Sequence, residues 1–271
     1  MIGAAALDAL AAELLAAHDE ARLTPLPSQV HAGLDGDRAY AVADRLRSLR
    51  MARGEQPRGY KIGFTNRTIW QRYGVHAPIW GPVWDGTLSQ LEGTQATLQL
   101  AGLVQPRIEP EVVFGFARAP QAGMDEAALA GCLDWVAHGF EIVHTHCEGW
   151  RFTAADTVAD FALHGRLVVG PRVPVSGWAT LGPDLAAMTM ALTCDGQVVD
   201  RGRGDNVLGG PLTALRIWVD AMATHCPGWA VAAGDLVTTG TITDAWPLLP
   251  GQRWSSQPGD PRLVGLTLSV A

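Results

Sequence analysis

The feature that most limits how this chain can fold is a pair of glutamates, one residue apart, inside an apolar stretch. The stretch is RIEPEVV, with Glu109 and Glu111 on either side of Pro110. Side chains on a β-strand point alternately to its two faces, so both carboxylates are predicted to share one face. Neighbouring buried anions repel each other and are costly when unpaired. The pair therefore predicts either a bound cation or a solvent-facing strand edge, and the edge is compatible with a proline that cannot donate to a ladder.

Two more charged side chains lie in apolar, strand-like segments. Glu141 stands in the sequence GFEIVHTH, and an acidic group there needs a partner. Three carboxylates without cysteine form a hard oxygen set, which favours Mg²⁺ or Mn²⁺ over zinc. Lys61, in GYKIG, either snorkels to the surface or reaches a site where its pKa is tuned for proton transfer. His144 and His146 would point away from Glu141 on a continued strand, so a core or hydrogen-bonding role is predicted for both.

Hydrophobic periodicity divides the chain into a helical start and a strand-rich remainder. Leucines at helical spacing predict two helices in the first fifty residues, joined by LTPLPSQ. Strand signals dominate from LQLAG onward, a helix is predicted from Met124 to Ala137 and another after Pro211, and Asp195-Gly196 predicts a hairpin turn. The prediction is a mixed, β-rich α+β protein, with a helical portion at 1–58 and a β-rich domain at 59–271 forming one continuous unit.

Charge and hydropathy narrow the class of protein. The formal net charge is -7, and the 20 Lys and Arg residues are spread along the chain, so no nucleic-acid partner is predicted. The N-terminal segment lacks a basic region, and the chain has no apolar run of about 18 residues, so no secretory signal, no membrane partner and a cytoplasmic location are expected. The four cysteines show no paired spacing and are assigned no chemistry.

Ordered motifs along nearly the whole chain resemble those of the 2-keto-4-pentenoate hydratase and 4-oxalocrotonate decarboxylase family, within the fumarylacetoacetate hydrolase-like fold. They are AYAVADRLRSLRMARGE, GYKIGFT, RIEPEVVF, EIVHTH with WRFTAADTVAD, LVVGP, GGPLTALRIW and GDLVTTGTITDAWPLLPGQ. The resemblance implies that Glu109, Glu111 and Glu141 bind Mg²⁺ (or Mn²⁺) and that Lys61 is catalytic. Asp85 is the nearest match to an acidic catalytic residue in the loop after that lysine.

The substrate-binding candidates are chosen on different grounds, two from a motif resemblance and one from a departure from it. Thr239 and Thr241, in TTGTIT, resemble the family's glycine-centred turn near the substrate, although strand propensity alone also explains them. Family members commonly continue A-D-N with small polar residues, whereas this chain has Phe161 and Leu163 there, followed by His164. His164 is therefore taken as a further substrate-binding candidate, and the departure leaves the exact reaction open.

The resemblance implies a metal-dependent lyase acting on a small 2-oxo acid. A hydratase adding water to a 2-hydroxy-dienoic acid such as 2-hydroxypenta-2,4-dienoate is expected first, and a decarboxylase of 4-oxalocrotonate type second. A C–C hydrolase of acylpyruvates and a non-catalytic partner subunit are further alternatives. The family also implies a homo-oligomer, or a complex with a paralogous hydratase or decarboxylase.

Overall fold

The computed structural model describes residues 2–271, apart from the side chains at 68, 72 and 73. Helices α1 to α8 are, in order, Ala4–Asp19, Pro27–Val30, Gly36–Ala52, Trp70–Tyr73, Glu126–Ala130, Ala154–Ala159, Leu181–Ala187 and Pro211–His225. Strands β1 to β14 are, in order, Pro57–Gly63, Ile79–Trp84, Leu88–Gln90, Gln95–Leu98, Arg107–Phe116, Leu133–Val143, His164–Val169, Val173–Pro174, Thr189–Cys194, Gln197–Arg203, Leu236–Thr241, Trp246–Pro247, Arg253–Pro258 and Thr267–Val270. The mixed α+β class is confirmed.

The larger sheet carries the charged residues singled out in the sequence. Its strand order within the described residues is β2-β1-β11-β5-β6-β7-β3, with the short β12 beside β5 and the short β8 beside β6. The pairs β1–β11 and β3–β7 are parallel, and the others in this sheet are antiparallel. Strands β5 and β6 lie side by side at its centre over ten paired positions. Central strands of this kind are buried on both faces, which is why their sequences are almost continuously apolar.

A second sheet, with order β10-β9-β13-β14-β4, packs beside the first. Its β9–β10 hairpin turns at Asp195-Gly196, where both residues have positive φ, as the sequence predicted. His138 of β6 links the sheets, because its Nδ1 lies 2.9 Å from the Glu111 carbonyl oxygen and its Nε2 lies 2.6 Å from Ser256 Oγ on β13.

The two long N-terminal helices pack on the larger sheet. Leu7, Leu10 and Leu14 form the buried side of α1, as their spacing predicted, and α3 is capped by Asp35, whose carboxylate accepts the Arg38 amide. Both helices share a hydrophobic core with α8, the helix predicted after Pro211. No helix in the described range 2–271 is long and apolar enough to cross a membrane.

Two of the predicted elements differ from the structure. The predicted helix from Met124 to Ala137 is wrong beyond its first turns, because α5 ends at Ala130 and β6 begins at Leu133. Apolar residues recur there at helical spacing only because β6 is buried on both faces and so lacks a period of two. The strand predicted for LQLAG lies earlier in the chain, since β4 ends at Leu98, the first residue of that motif.

Candidate active site

Three glutamates meet at the centre of the larger sheet. Glu109 of β5 stands directly opposite Glu141 of β6, and Glu111 follows two residues later on the same face, opposite Gly139. One carboxylate oxygen from each of the three lies within 4.8 Å of the others. Glu111 and Glu141 are fully buried, whereas Glu109 is partly exposed to the adjoining pocket. Like charges placed directly across a strand pair are destabilising unless something positive lies between them.

Strand β11 holds the Glu111 carboxylate in place. Its Oε2 accepts hydrogen bonds from Thr238 Oγ1 and from the Gly240 amide, the latter at 2.8 Å. The register between β11 and β5 shifts between Thr238 and Thr241, and this irregularity lets the amide turn toward the carboxylate. Gly240 has φ +101°, and a Cβ there would lie 1.8 Å from Thr65 Oγ1, so only glycine fits. The second oxygen of Glu111 is buried without a hydrogen-bond partner in the described part of the chain.

Glu141 is held by a histidine and a lysine. Nδ1 of His164 lies 2.9 Å from Glu141 Oε1, and the other ring nitrogen lies 2.9 Å from Thr87 Oγ1. Nζ of Lys61 lies 3.2 Å from Glu141 Oε2 and donates to the Ala162 carbonyl at 3.0 Å. The carboxylate is thus fixed by one contact on each oxygen.

Lys61 is buried, with 2% of its surface exposed. Burial on its own lowers the pKa of Lys61, but the nearby carboxylates of Glu141, Glu109 and Glu111 overcome it and hold this pKa above its usual value. A Cβ at Gly63 would lie 3.2 Å from Nζ, so the glycine after this lysine leaves room for the ammonium. Lys61 is therefore a charged group enclosed beside the acidic cluster.

The carbonyl that accepts from Lys61 belongs to a left-handed turn. Phe161, Ala162 and Leu163 have φ of +54°, +51° and +66°. This conformation is roughly 1–2 kcal/mol less favourable for each non-glycine residue, so the surrounding contacts must impose it. The Leu163 amide donates back to the Asp160 carbonyl at 2.8 Å, and the turn leads directly into His164. One strained turn thus supplies partners to both Lys61 and Glu141.

The surroundings of the three carboxylates disfavour their ionised forms. Burial raises the pKa of Glu109, Glu111 and Glu141, and repulsion among the carboxylates raises the first two further. With all groups ionised, three carboxylates and one ammonium leave a net charge of minus two. A divalent cation matches that charge, and carboxylate oxygens are the ligands that Mg²⁺ and Mn²⁺ prefer. The unpartnered Glu111 oxygen provides a further ligand atom, so the residues fit such an ion.

A pocket opens from the acidic cluster and encloses about 720 Å³, part of it open to solvent. Its lining includes Lys61, Glu109 and the β11 residues Gly240 and Thr241, and much of the remaining wall is apolar.

 The apolar side chains of this wall are Phe64, Ile69, Ile79, Val143, Trp150, Phe152, Leu163 and Ala245. The charged residues of the lining are Lys61, Arg107, Glu109 and Asp244. The guanidinium of Arg107 stacks on the Trp150 ring, 4.0 Å from its centroid. Once a divalent cation neutralises the cluster, the pocket can take a small acid with its carboxylate toward the cluster and an apolar tail along the wall.

The structure brings most of the sequence-predicted residues together, and places some of them in other roles. Thr241 lines the pocket, but its hydroxyl donates to the Thr243 carbonyl at 2.9 Å. The hydroxyl of Thr239 is buried and donates to the Val112 carbonyl at 3.0 Å. His164, a substrate-binding candidate from the sequence, contacts the Glu141 carboxylate and does not belong to the lining of this pocket.

Asp85 is not brought into the pocket. It is exposed, in the turn that follows β2, where its carboxylate accepts the amides of Gln56 at 3.2 Å and Gly86 at 2.9 Å. These backbone hydrogen bonds hold the pKa of Asp85 below its usual value. The side chain is engaged in capping a turn, which explains why an acidic residue stands at this point of the sequence.

Two contacts of the cluster were missed by sequence reasoning. They are the Thr238 hydroxyl and the Gly240 amide, both on Glu111. The glycine in TTGTIT was the available signal, because an isolated glycine within a strand pattern suggests a bulge or a close backbone approach.

Known proteins resemble this chain over most of its length. It is 31% identical to the 2-hydroxyhexa-2,4-dienoate hydratase of Comamonas testosteroni, over 86% of this chain and 85% of that protein. It is 33% identical to a 2-keto-4-pentenoate hydratase of Paraburkholderia phymatum, over 87% of each. A 4-oxalocrotonate decarboxylase of a Pseudomonas species is 30% identical, over 80% of this chain and 83% of that protein. No protein-family model matches the chain.

Solved structures share the fold. A 4-oxalocrotonate decarboxylase from Pseudomonas putida, complexed with magnesium and adipate, superposes with a TM-score of 0.91 at 23% identity, covering 100% of this chain and 99% of that one. A fumarylpyruvate hydrolase from Pseudomonas aeruginosa, in complex with Mn²⁺ and pyruvate, gives 0.61 at 15% identity, covering 79% and 89%. These likenesses confirm the fumarylacetoacetate hydrolase-like fold predicted from the sequence.

Proposed function

The chain belongs to the 2-keto-4-pentenoate hydratase and 4-oxalocrotonate decarboxylase family, and from this premise we propose that it is a divalent-metal-dependent hydratase of a 2-hydroxy-dienoic acid. The observation that carries the proposal is the enclosed cluster of three carboxylates beside one buried ammonium. Its ligands would be Glu109, Glu111 and Glu141, and Mg²⁺ is the ion proposed, with Mn²⁺ as the alternative. When bound there, the ion supplies a positive charge that stabilises negative charge developing on the substrate's 2-oxygen.

The protein's own residues would position the substrate and move protons. Lys61 lies at the junction of the cluster and the pocket, so its ammonium can hold the substrate oxygen and exchange a proton with it. Conversion of the 2-hydroxy-diene to the 2-oxo-3-enoate moves one proton from oxygen to carbon. Water then adds across the conjugated double bond, with hydroxyl at C4 and a proton at C3. His164 acts by fixing the Glu141 carboxylate.

The wall of the pocket favours a mono-acid. Beyond the acidic cluster it offers mainly aliphatic and aromatic side chains, which suit the short hydrocarbon tail of a dienoate. The most similar curated proteins named above include two hydratases, and one of them is named for 2-hydroxyhexa-2,4-dienoate.

A decarboxylase of 4-oxalocrotonate type is the second candidate, because of Arg107. Its guanidinium lines the pocket and could pair with the second carboxylate of a dicarboxylic substrate. The decarboxylase structure with the TM-score of 0.91 holds adipate, which is a dicarboxylate. In this reaction the negative charge left by departing CO₂ would be stabilised by the positive charge of the ion that the same three glutamates would hold.

The test compares both reactions in one preparation. Loss of 2-hydroxypenta-2,4-dienoate absorbance and release of CO₂ from 2-oxo-3-hexenedioate are measured with Mg²⁺ and after chelation. A hydratase shows the first activity, dependent on Mg²⁺ and abolished in Glu109→Gln. The matched control is Glu92→Gln, which removes an exposed carboxylate outside the pocket and is expected to keep full activity. Equal rates with and without metal would contradict the proposal, and CO₂ release as the faster reaction would favour the decarboxylase.

A further inference from the structure

We propose that His18, His144 and His146 form a second metal site, for a borderline ion such as Zn²⁺ or Co²⁺, apart from the carboxylate cluster. One ring nitrogen from each histidine lies within 4.8 Å of the others. His18 belongs to the last turn of α1, and the other two follow the end of β6. An all-nitrogen set is chemically different from the oxygen set of the glutamates, because imidazole suits Zn²⁺ and Co²⁺ whereas carboxylates suit Mg²⁺.

Each of the three histidines presents a nitrogen that needs a partner. Nδ1 of His18, Nε2 of His144 and Nε2 of His146 are all buried and make no hydrogen bond within the described residues. His144 and His146 are almost completely buried as residues, at 1% and 0% exposure. Buried polar atoms are nearly always satisfied, and each of the three clustered histidines has one unpartnered nitrogen, so the cluster calls for a common ligand. A single cation at their centre satisfies all three.

Asp160 prepares His146 for this role. Nδ1 of His146 donates to Asp160 Oδ1 at 2.5 Å. The second oxygen of Asp160 accepts from Thr145 Oγ1 at 2.7 Å and from the His146 amide at 2.9 Å, so the carboxylate is fixed. A carboxylate on the far nitrogen of a histidine sets the tautomer and leaves the near nitrogen with its lone pair, which is the usual outer shell of a metal-bound imidazole.

His144 must change one contact to bind the ion. The Val104 amide donates to its Nδ1 at 3.3 Å, at the long end for such a bond. Ligation through Nε2 moves the ring proton to Nδ1, so the Val104 amide loses this acceptor when the ion binds. The amide of Val104 is therefore a specific reporter of occupancy.

The surroundings lower the pKa of two of the three histidines, His18 and His144. Burial, together with the charge of Arg50, lowers the pKa of His18 to about 3, and burial also lowers the pKa of His144. Neutral imidazole is the form that binds metals. Phe161 packs against the His18 ring, with centroids 4.6 Å apart, and covers the cluster.

The consequence is a clamp on the N-terminal helix. An ion held by His18 on one side and by His144 and His146 on the other ties the end of α1 to the segment that follows Glu141. Three protein ligands leave one position of a tetrahedral ion for water. The site is then structural, and its occupancy is expected to raise thermal stability without supplying the chemistry of the pocket.

The experiment uses the full chain, stripped with a chelator and titrated with Zn²⁺ and Co²⁺. The Glu111→Gln variant removes the carboxylate cluster as a competing site, and His18→Ala and His18→Gln in that background remove one ligand. His76→Ala is the matched control, because this histidine is exposed and lies outside the cluster. In Glu111→Gln, and in the same background carrying His76→Ala, we expect one Co²⁺ per chain with the visible absorption of a four-coordinate site that has three nitrogen ligands. We also expect Zn²⁺ to raise the melting temperature of both variants.

Both His18 variants are expected to lose the Co²⁺ absorption and the Zn²⁺-induced rise while keeping the metal-free melting temperature within a few degrees. In ¹⁵N-labelled protein the Val104 amide signal shifts on addition of Zn²⁺, and it does not shift in His18→Gln. Retention of the same Co²⁺ spectrum and stoichiometry in the His18 variants overturns the proposal. Failure of Glu111→Gln to bind Zn²⁺ or Co²⁺ also overturns it, and shows that a water molecule or a rearranged hydrogen bond satisfies the three nitrogens.

Discussion

At the residue scale, the acidic cluster places like charges close together in the protein interior, which lowers the stability of the fold. Glu109 and Glu141 face each other across neighbouring strands, and Glu111 is fully buried beside them. The one ammonium in contact with the cluster among the described residues is that of Lys61. Burying three carboxylates with one positively charged partner is destabilising, and unfavourable charge arrangements of this kind are typical of binding and catalytic sites.

Replacement of Lys61 separates catalysis from metal binding. Lys61→Met keeps the length of the side chain and removes its charge, so we expect kcat for 2-hydroxypenta-2,4-dienoate to fall by about 10²–10⁴-fold at saturating Mg²⁺. The ammonium repels a cation at the same cluster, so Mg²⁺ affinity is expected to stay equal or to increase. Steady-state rates and calorimetric titration measure the two effects. A kcat within threefold of the wild type would contradict the assignment of Lys61.

Replacement of Gly240 tests whether the β11 turn holds the Glu111 carboxylate in place. Gly240→Ala places a Cβ 1.8 Å from Thr65 Oγ1 at a φ of +101°, so we expect a loss of unfolding free energy of about 2–4 kcal/mol and weaker Mg²⁺ binding. The control is Gly234→Ala, with a φ of +92° and nothing within 4 Å of the added atom, which is expected to cost only about 1 kcal/mol. Chemical denaturation measures both. Equal losses would show that the close approach to Thr65 is unimportant.

Residue-level prediction from the sequence succeeds where the relation is local. Strand alternation is enough to place Glu109 and Glu111 on one face. The position of Glu141 opposite Glu109 depends on the register of two strands, which no local pattern specifies. The contact of His164 with Glu141 and the convergence of His18 on His146 join distant parts of the chain, so neither was predictable from the residues alone.

At the scale of elements, the left-handed turn Phe161–Leu163 connects the helical layer to the site. It directs the Ala162 carbonyl to Lys61 and the following His164 to Glu141. The sequence by itself marks Phe161 and Leu163 only as apolar residues at positions where the resemblance implies polar ones. Their positive φ was not predictable, because nothing in a run of phenylalanine, alanine and leucine favours that conformation.

A double-mutant cycle tests whether this turn is held by β2. A Cβ at Gly81 would lie 2.9 Å from Ala162 Cβ and 3.1 Å from the Phe161 carbonyl oxygen. Gly81→Ala is therefore expected to lower unfolding free energy by about 1–3 kcal/mol and to reduce activity by displacing the partner of Lys61. Ala162→Gly makes room and accepts the positive φ, so the double variant is expected to recover most of both losses. Strictly additive losses would contradict a direct contact.

The link between the two sheets predicts a pH dependence. Burial lowers the pKa of His138 from 6.5 to about 4. Between these values the unfolded chain binds more protons than the folded one, so His138 contributes stability above pH 6.5 that is lost as the pH falls toward 4. His138→Asn removes this contribution and retains a donor for the Glu111 carbonyl. We expect its plot of unfolding free energy against pH to be shallower in that window, by up to about 1.4 kcal/mol per pH unit. An unchanged slope would contradict a neutral, buried His138.

The sequence predicts some of the helices and strands correctly and others wrongly. Helices α1, α3 and α8 and the β9–β10 hairpin follow from periodicity and turn chemistry, because each has one buried side or a glycine turn. Strand β6 was mistaken for helix at its start, because a strand buried on both faces has no period-two signal.

At the scale of the whole molecule, the N-terminal helices share one hydrophobic core with the larger sheet. Division of the chain into a helical portion at 1–58 and a β-rich portion at 59–271 therefore stays a proposal about sequence organisation. The homo-oligomer and the complex with a paralogous hydratase or decarboxylase also stay predictions, and sedimentation of the purified chain, alone and mixed with such a partner, would test them.

We propose above that one divalent cation is bound jointly by three residues, Glu109, Glu111 and Glu141. The most direct measurement is calorimetric titration of the chelator-treated chain with Mg²⁺, compared with Glu111→Gln and with the surface control Glu92→Gln. We expect one Mg²⁺ per chain for the wild type and the control, and at least a 100-fold loss of Mg²⁺ affinity for Glu111→Gln, equivalent to about 2.7 kcal/mol. Mg²⁺ binding by Glu111→Gln with the affinity of the wild type would contradict it.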